Sequence, residues 1–540
     1  MRMYKSFKDP IYGYISIEKE IVKGIVDTAA FQRLRNVIQT SYAPLYSSAA
    51  HNRFVHSLGV YHLGNIVSRT IETMFQNEEG WDLSRCLFVF KLACLLHDVG
   101  HAPFSHTGEE YYLDNGSRDE LHEEIIRLTG DENLRAEIAS KDYKAAPHEL
   151  MSVIIALDTF PKYFTADWER SFFARCIIGY SYVKNVDLWH SFLNCLISFL
   201  NSSVIDVDKL DYLIRDAYIT GFDTINIDYI RLLRSVRIQQ QTDLQTDFTA
   251  YHVVYTKNAI SVIENVVYAH DAERKWIQNH PVVQYEGYLL KNIMAGVNRT
   301  YGNPNIFSKE MLTFQGDDLK NGFHISLLCD ADMIFLMKNM QVTSDIMEYF
   351  FRTERKHPLW KSESEYKAFF NPSFTKELFA ILECSMEQLI KYVNKLGMPS
   401  IINEQVLKRC DEDIEKCECL IEENSDKKYV KMLQQKKKMR EWIMAFKEFA
   451  KEQEIAFNFV MIQANQFNSG FSKQGFEELE IVFPNMNKPV YFKTVTNVLT
   501  ANKSAGNRFF YLFFDRKEKQ KINIFCLVDK LNKLAKDATR

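Results

Sequence analysis

The run Lys91-Leu92-Ala93-Cys94-Leu95-Leu96-His97-Asp98-Val99-Gly100-His101-Ala102-Pro103-Phe104-Ser105-His106 constrains this chain more than any other. Its first part is apolar on every side, so a helix there must be buried all round. That helix runs straight into an adjacent His-Asp pair, and Gly100 and Pro103 then break it. Two further histidines, His101 and His106, crowd the same stretch, in a chain with only 14 histidines. Adjacent helical residues diverge by about 100°. His97 and Asp98 therefore share one ion only if it lies at the helix end; alternatively they serve two ions, with Asp98 bridging. Imidazole nitrogen together with carboxylate oxygen suits a borderline divalent metal such as Fe, Mn, Ni, Co or Zn.

Three other segments carry residues of the same chemistry. In His51-Asn52-Arg53-Phe54-Val55-His56-Ser57-Leu58-Gly59, Arg53 and His56 project from one helical face. A cation beside a ligand imidazole repels the metal, and the pairing becomes sensible when an anion lies between them. In Asp206-Val207-Asp208-Lys209-Leu210-Asp211-Tyr212-Leu213-Ile214-Arg215-Asp216, a helix stacks Asp208, Tyr212 and Asp216 on one face, with Lys209 beside them. Taken alone, that pattern reads more readily as a surface helix with a salt-bridge ladder. In Pro147-His148-Glu149, Glu149 can fix the tautomer of His148, and His122 competes for the same role.

Length and composition bound the rest. A chain of 540 residues exceeds one hydrophobic core. Only 12 Pro and 20 Gly punctuate it, which favours long helices over a many-turned β architecture. The expected fold is mainly α, a helical core with an added helical region and a small α+β C-terminal domain. The division expected is 1–345 for the core, 346–455 for a helical accessory region and 456–540 for the last domain. Helices are expected at 58–75, 86–97, 148–156, 170–182, 189–220 and 331–340, and one amphipathic helix through Ile21, Ile25, Phe31, Leu34 and Val37. A short strand is expected at 323–328. Acidic then basic stretches between 404 and 455 read as a helical hairpin with paired charges. The runs at 457–462, 508–514 and 522–528 read as strands. The net charge of −4 supplies no global field for nucleic acid. No apolar run reaches the roughly 18 residues of a membrane span, and the scattered cysteines read as reduced thiols. A cytoplasmic protein is expected.

In order, Arg53-x-x-His56, His97-Asp98 and Asp208 resemble the signature of the HD-domain superfamily. Flanking words are similar to its deoxynucleoside triphosphate (dNTP) triphosphohydrolase branch: Asp9-Pro10-Ile11-Tyr12-Gly13, Phe31-Gln32-Arg33-Leu34-Arg35, His51 to Gly59, Leu96 to His106, and Asp206 to Tyr212. The resemblance covers roughly residues 5–300. It implies a metal held by His56, His97, Asp98 and Asp208, with Mg on the substrate triphosphate. It implies His148 and His101 as catalytic histidines, with Glu109 orienting the catalytic imidazole. Arg53, His106, Lys209 and Tyr212 match phosphate-contacting positions, and Gln39 and Asp216 match the pair that reads the sugar 3′-hydroxyl. Where relatives carry Gln-Leu-Gly, this chain has Gln39-Thr40-Ser41. The resemblance further implies a dNTP substrate, an allosteric dNTP or other nucleotide, and a homo-oligomer. The competing readings are hydrolysis of another nucleotide or phosphoester, and a nucleotide-sensing regulatory protein.

Overall fold

The computed structural model describes residues 3–40, 44–109, 112, 118–140, 145–184, 186–202, 204–222, 226–242, 248–301, 306, 308–313, 326–423, 427–465, 476–484, 486, 488–496, 508–515 and 522–538. The fold is mainly α, with a few small sheets. Two compact units divide it: Met1–Glu273 with Ile293–Val342 and Ser469–Ala501, and Arg274–Asn292 with Thr343–Asn468 and Asn502–Arg540.

The first unit opens with an antiparallel hairpin, Tyr4–Asp9 against Gly13–Glu18. Asp9 Oδ1 accepts the amides of Ile11 and Tyr12 at 2.8 and 3.0 Å, and Gly13 closes the turn at φ 75°. The single helix expected through Ile21 and Val37 is instead four short turns: Lys19–Ile21, a π turn Val22–Val26, Ala29–Gln32 and a 3-10 turn Arg33–Asn36. Thr28 breaks it, being extended at ψ 154° with its hydroxyl bonded to Ile25 O.

Long helices then follow at Arg53–Met74, Leu83–Leu96, Pro147–Thr159, Asp167–Ile178, Leu188–Leu200 and Val207–Thr220. The expected 189–220 helix is two, because Asp206 caps the second by accepting Lys209 N at 2.7 Å. Asn52, Asp82 and Asp187 cap three others in the same way; each such cap contributes about 0.5–2 kcal/mol. Every residue from Leu92 to Leu96 is fully buried. At about 1.5–3 kcal/mol per large apolar side chain, the helix is held where it is by its core. Its C-terminus thereby meets the N-terminus of Arg53–Met74. The latter also packs on Val207–Thr220, and a Cβ at Gly59 would lie 1.9 Å from Asp211 Oδ1.

A four-stranded sheet completes this unit in the order Val236–Thr242, Thr249–Thr256, Glu480–Val482, Val490–Tyr491, the middle pair parallel. The helix Asp330–Asn339 forms as expected. Of the strand expected at 323–328, residues 323–325 lie outside the described residues and 326–328 pair with no strand.

In the second unit, His357–Pro358, Arg508–Phe514, Asn458–Asn465 and Ile401–Asn403 form an antiparallel sheet in that order. Trp360, Tyr366, Phe370, Phe446, Phe459 and Phe510 belong to its core. The charged hairpin is Glu404–Glu423 with Lys427–Glu452, joined by Lys436–Asp413 and Lys437–Glu418 ion pairs at 2.7 and 2.8 Å. The run at 522–528 is not a strand but the start of the helix Ile524–Asp537. Asn523 caps it at Phe525 N, and burial of Leu527, Val528, Leu531 and Ala535 follows a helical period. Among the described residues no helix is long and apolar enough to cross a membrane.

Candidate metal centre and active site

His97 caps the Leu83–Leu96 helix, where its ring reaches the opening turn of Arg53–Met74. Its Nδ1 lies 3.0 Å from Cys94 O, and His56 Nδ1 lies 2.8 Å from Asp211 Oδ2. A carbonyl and a carboxylate can only accept, so both Nδ1 atoms carry the hydrogen and both Nε2 atoms present lone pairs. Those two Nε2 atoms lie 3.3 Å apart. Asp208 Oδ1 is 3.0 Å from His56 Nε2 and 3.6 Å from His97 Nε2. Asp98 adds Oδ2 at 3.4 Å from His56 and Oδ1 at 3.4 Å from His97. Ligands about 2.1 Å from one ion stand roughly 3.0–3.4 Å from one another, so the donor spacing fits a divalent transition metal. Asp211 and the Cys94 carbonyl supply the outer hydrogen bonds that orient metal-binding imidazoles. Burial works against a charge on His56. Hydrogen bonds to Asp208 and Asp211 and the charges of Asp211 and Asp98 nevertheless push it up to about 10. The pocket is thus built to hold a cation.

Arg53 stands on the far side of Asp98. Its Nη1 donates to Asp98 Oδ2 at 2.7 Å, Nε to Ser105 Oγ at 2.9 Å and Nη2 to Gln39 O at 3.1 Å. The anion between Arg53 and His56 is therefore Asp98 itself. Despite burial, Arg53, His97 and His101 hold the Asp98 carboxyl well below its ordinary range.

A second histidine cluster shares Asp98. His101 Nε2 lies 3.2 Å from Asp98 Oδ1, and its ring stacks on His148 at 4.0 Å between centroids. His148 Nδ1 bonds Glu109 Oε2 at 2.5 Å, while His106 Nδ1 bonds Glu109 Oε1 at 2.7 Å. One carboxylate thus orients two imidazoles through Nδ1, and His106 Nε2 lies 3.4 Å from Arg53 Nη2. Against burial, the Glu109 charge and hydrogen bond push His148 up to about 9, helped by Glu149 and Asp98. Burial pulls His101 well down, reinforced by the charges of Arg53 and His148. Stacked imidazoles with opposite protonation states are the separation that acid–base work requires. His122 is buried in the Arg118–Thr129 helix and is not a member of the His101, His106 and His148 cluster.

The turn carrying these histidines is fixed by packing. A Cβ at Gly100 would lie 2.3 Å from Ser152 N, so only glycine admits the Pro147–Thr159 helix this close. Ser152 Oγ also accepts Gly100 N at 2.9 Å. Phe104 and Ser105 both sit in the left-handed region, at φ 56° and 54°. Such conformations cost about 1–3 kcal/mol each in non-glycine residues, so surrounding contacts must hold them.

On the remaining side, Asp216 Oδ1 lies 2.7 Å from His51 Nε2, both groups buried. Gln39 is buried with Oε1 making no hydrogen bond, and its amide N donates to His51 O at 2.9 Å. Lys209 Nζ is tied to Ser202 O at 2.7 Å and Asp206 Oδ2 at 2.5 Å. Tyr212 is held well above its ordinary range by burial, then by Glu273, Asp208 and neighbouring carboxylates. The structure thus brings His56, His97, Asp98 and Asp208 together, links them through Asp98 to His101, and places Glu109 between His106 and His148.

Two supporting groups were missed by sequence reasoning. Asp211 holds His56 and also bonds Arg215 and Tyr12. It shares a helical face with Asp208, which was a usable signal. His51 holds Asp216 from the start of the word that contains Arg53, and nothing in its spacing marks it.

Residues 53–160 match the HD domain family model. YwfO of Bacillus subtilis, an uncharacterized protein, is 27% identical over 318 residues, 57% of this chain and 60% of its own length. The deoxynucleoside triphosphate triphosphohydrolase SAMHD1 of Mus musculus is 29% identical over 253 residues, 44% of this chain and 34% of its own. The SAMHD1 homolog of Dictyostelium discoideum is 28% identical over 273 residues, 49% and 46% respectively. The chain thus spans between about a third and three fifths of these relatives. Among solved structures, a phosphohydrolase from Bacteroides thetaiotaomicron has a TM-score of 0.52 at 16% identity, covering 95% of this chain and 100% of its own. That likeness concerns the fold. The His97-Asp98 turn and its partner His56 both lie inside the stretch that matches the HD domain.

Proposed function

We propose that this protein hydrolyses deoxynucleoside triphosphates to the deoxynucleoside and inorganic triphosphate. The observation that carries the reading is the sharing of Asp98. Its Oδ2 lies beside His56 and Arg53, and its Oδ1 lies beside both His97 and His101, the latter stacked on a His148 that Glu109 keeps protonated. Cleaving a phosphate ester needs both halves, a cation for the phosphoryl oxygens and an acid for the departing alkoxide.

When bound, a divalent metal supplies Lewis acidity toward a phosphoryl oxygen and a water of lowered pKa. The chain's own groups supply the rest. Arg53, which also bonds Asp98, is assigned with Lys209, Tyr212 and His106 to the triphosphate charge. Water attacks the α-phosphorus and gives up a proton to solvent, and the bond to the 5′-oxygen breaks as that oxygen takes the Nε2 proton of His148. Glu109 keeps the Nδ1 hydrogen in place throughout, so the ring turns neither before nor after transfer. Gln39, with its free amide oxygen, and Asp216, locked by His51, receive the sugar 3′-hydroxyl. The activity of the mouse relative, a deoxynucleoside triphosphate triphosphohydrolase, supports the substrate class.

A cavity of about 840 Å³ in the same unit supports nucleotide regulation. Arg231, Arg234, Arg237, Lys257 and Lys488 line it against one carboxylate, Asp228. In a chain of net charge −4 that is a local concentration of positive charge suited to phosphates. Release of inorganic triphosphate from each dNTP, measured beside NTPs and dNMPs, tests the reading.

A further inference from the structure

Asp330 opens the helix Asp330–Asn339, is buried, and lies far in sequence from every residue of the site. Its two carboxylate oxygens serve two different loops. Oδ2 accepts Ile38 N at 2.8 Å, and Oδ1 accepts Phe104 N at 2.7 Å. Ile38 immediately precedes Gln39, on the sugar side. Phe104 is the first left-handed residue of the turn between His101 and His106, on the phosphate side. Ser105, the second, donates its hydroxyl to Ile38 O and accepts Arg53 Nε. Beneath the turn, Arg33 donates to Val99 O at 3.0 Å, His101 O at 2.7 Å and Leu328 O at 2.9 Å. Burial raises the Asp330 carboxyl to about 6, opposed by the two amides and by Arg33 and Arg53. A carboxylate kept in such a place at a cost in solvation has a role that apolar packing would not fill.

We propose that Asp330 is a positioning residue that ties the His101–His106 turn to the Ile38–Gln39 segment, setting the separation between the groups that act on phosphate and the group that reads the sugar. This rests on reading the site as one for a deoxynucleoside triphosphate. Neither amide it holds belongs to a metal ligand, so its loss leaves the metal in place. What changes is the register of the substrate: a sugar bound at Gln39 no longer delivers the scissile bond to His148. A misplacement of about 1 Å is enough to slow turnover on the order of a hundredfold.

The test compares Asp330→Ala, Asp330→Asn and Asp332→Ala in the full chain, with dNTPs and 2′,3′-dideoxynucleoside triphosphates as substrates. Asp332 Oδ2 accepts Cys329 N at 2.8 Å at the same helix start but touches neither loop, so its variant controls for general weakening. Asp330→Ala is expected to keep the wild-type metal content, to lose kcat on dNTPs on the order of a hundredfold, and to lose the preference for a 3′-hydroxyl. Asp330→Asn, which keeps one acceptor oxygen, recovers part of both. Asp332→Ala lowers the melting temperature and leaves the preference unchanged. Equal loss on both substrates in Asp330→Ala, no loss at all, or the same loss of preference in Asp332→Ala overturns the proposal.

If Asp330→Ala does not fold, Ser105→Ala carries the same test, since it removes the second link to Ile38. An unchanged preference there overturns the proposal. If the wild type hydrolyses no dNTP, the functional reading has failed, and the clamp is judged by amide hydrogen exchange. Faster exchange at Ile38, Phe104 or both in Asp330→Asn but not in Asp332→Ala supports it; exchange unchanged at both in Asp330→Asn, or equally faster in Asp332→Ala, overturns it.

Discussion

His56 and His97 face each other through Nε2 atoms 3.3 Å apart, while each commits its Nδ1 hydrogen to an acceptor elsewhere. Two lone pairs at that distance repel unless a proton or a metal ion lies between them, and the carboxylates of Asp98 and Asp208 beside them suit the metal ion. His97→Ala or Asp208→Ala is therefore expected to lose bound metal and turnover together while the protein stays folded. Elemental analysis, circular dichroism and an activity assay on one preparation check this. Full turnover in a metal-stripped double variant would remove the site from the account.

The His148–Glu109 pair predicts an alkaline limit. The His148 pKa is raised to about 9, so its proton is present below that pH and lost above it. The same sign holds for stability: the contribution of this pair is complete below the ordinary histidine value of about 6.5 and lost as pH rises through about 9. Glu109→Gln removes the charge that raises His148, and the alkaline limb of kcat should move down toward neutrality. His148→Ala should cut kcat by about two orders of magnitude or more while nucleotide binding persists. A limb that stays at its wild-type position in Glu109→Gln would contradict the assignment of the acid.

Gly100→Ala places a methyl group 2.3 Å from Ser152 N and 2.5 Å from Met151 C. Both are backbone atoms of a buried helix, so relief requires moving the helix that bears His148. Overpacking of this kind costs typically about 1–3 kcal/mol. Urea unfolding should show that loss, and the surviving folded enzyme should also turn over more slowly.

Much of this centre was legible in the sequence because its ligands sit on strong local signals. An all-apolar helix that stops at Gly100 and Pro103 puts His97 at its end, and the structure ends the helix at Leu96. The stripe of Asp208, Tyr212 and Asp216, spaced four residues apart, needed only helical geometry. What holds the site was not legible. Asp330 reaches Phe104 across 226 positions, and only tertiary structure brings them together. Phe104 and Ser105 are not residues whose chemistry favours left-handed backbone, so their turn leaves no trace in composition. The 522–528 run misled for a simpler reason: short apolar stretches fit a strand and a buried helix alike, and the Asn523 cap decides it.

The basic cavity predicts regulation. Replacing Arg231, Arg234 and Arg237 together by Gln should leave hydrolysis by a single saturating substrate in place and abolish any activation by a second nucleotide. Initial rates with nucleotides alone and in pairs check this. Activation that survives the triple variant places the regulatory nucleotide elsewhere.

The most direct test of the central claim is a hydrolysis panel on purified protein loaded with Mn, Fe, Co, Ni or Zn. Each dNTP is supplied with Mg, alone and in pairs, and inorganic triphosphate and deoxynucleoside are quantified together. Release of the two products in equal amounts, dependent on the metal and absent in His97→Ala, is the predicted result. Release of monophosphate or diphosphate instead, or no turnover of any dNTP under any metal, would contradict the account.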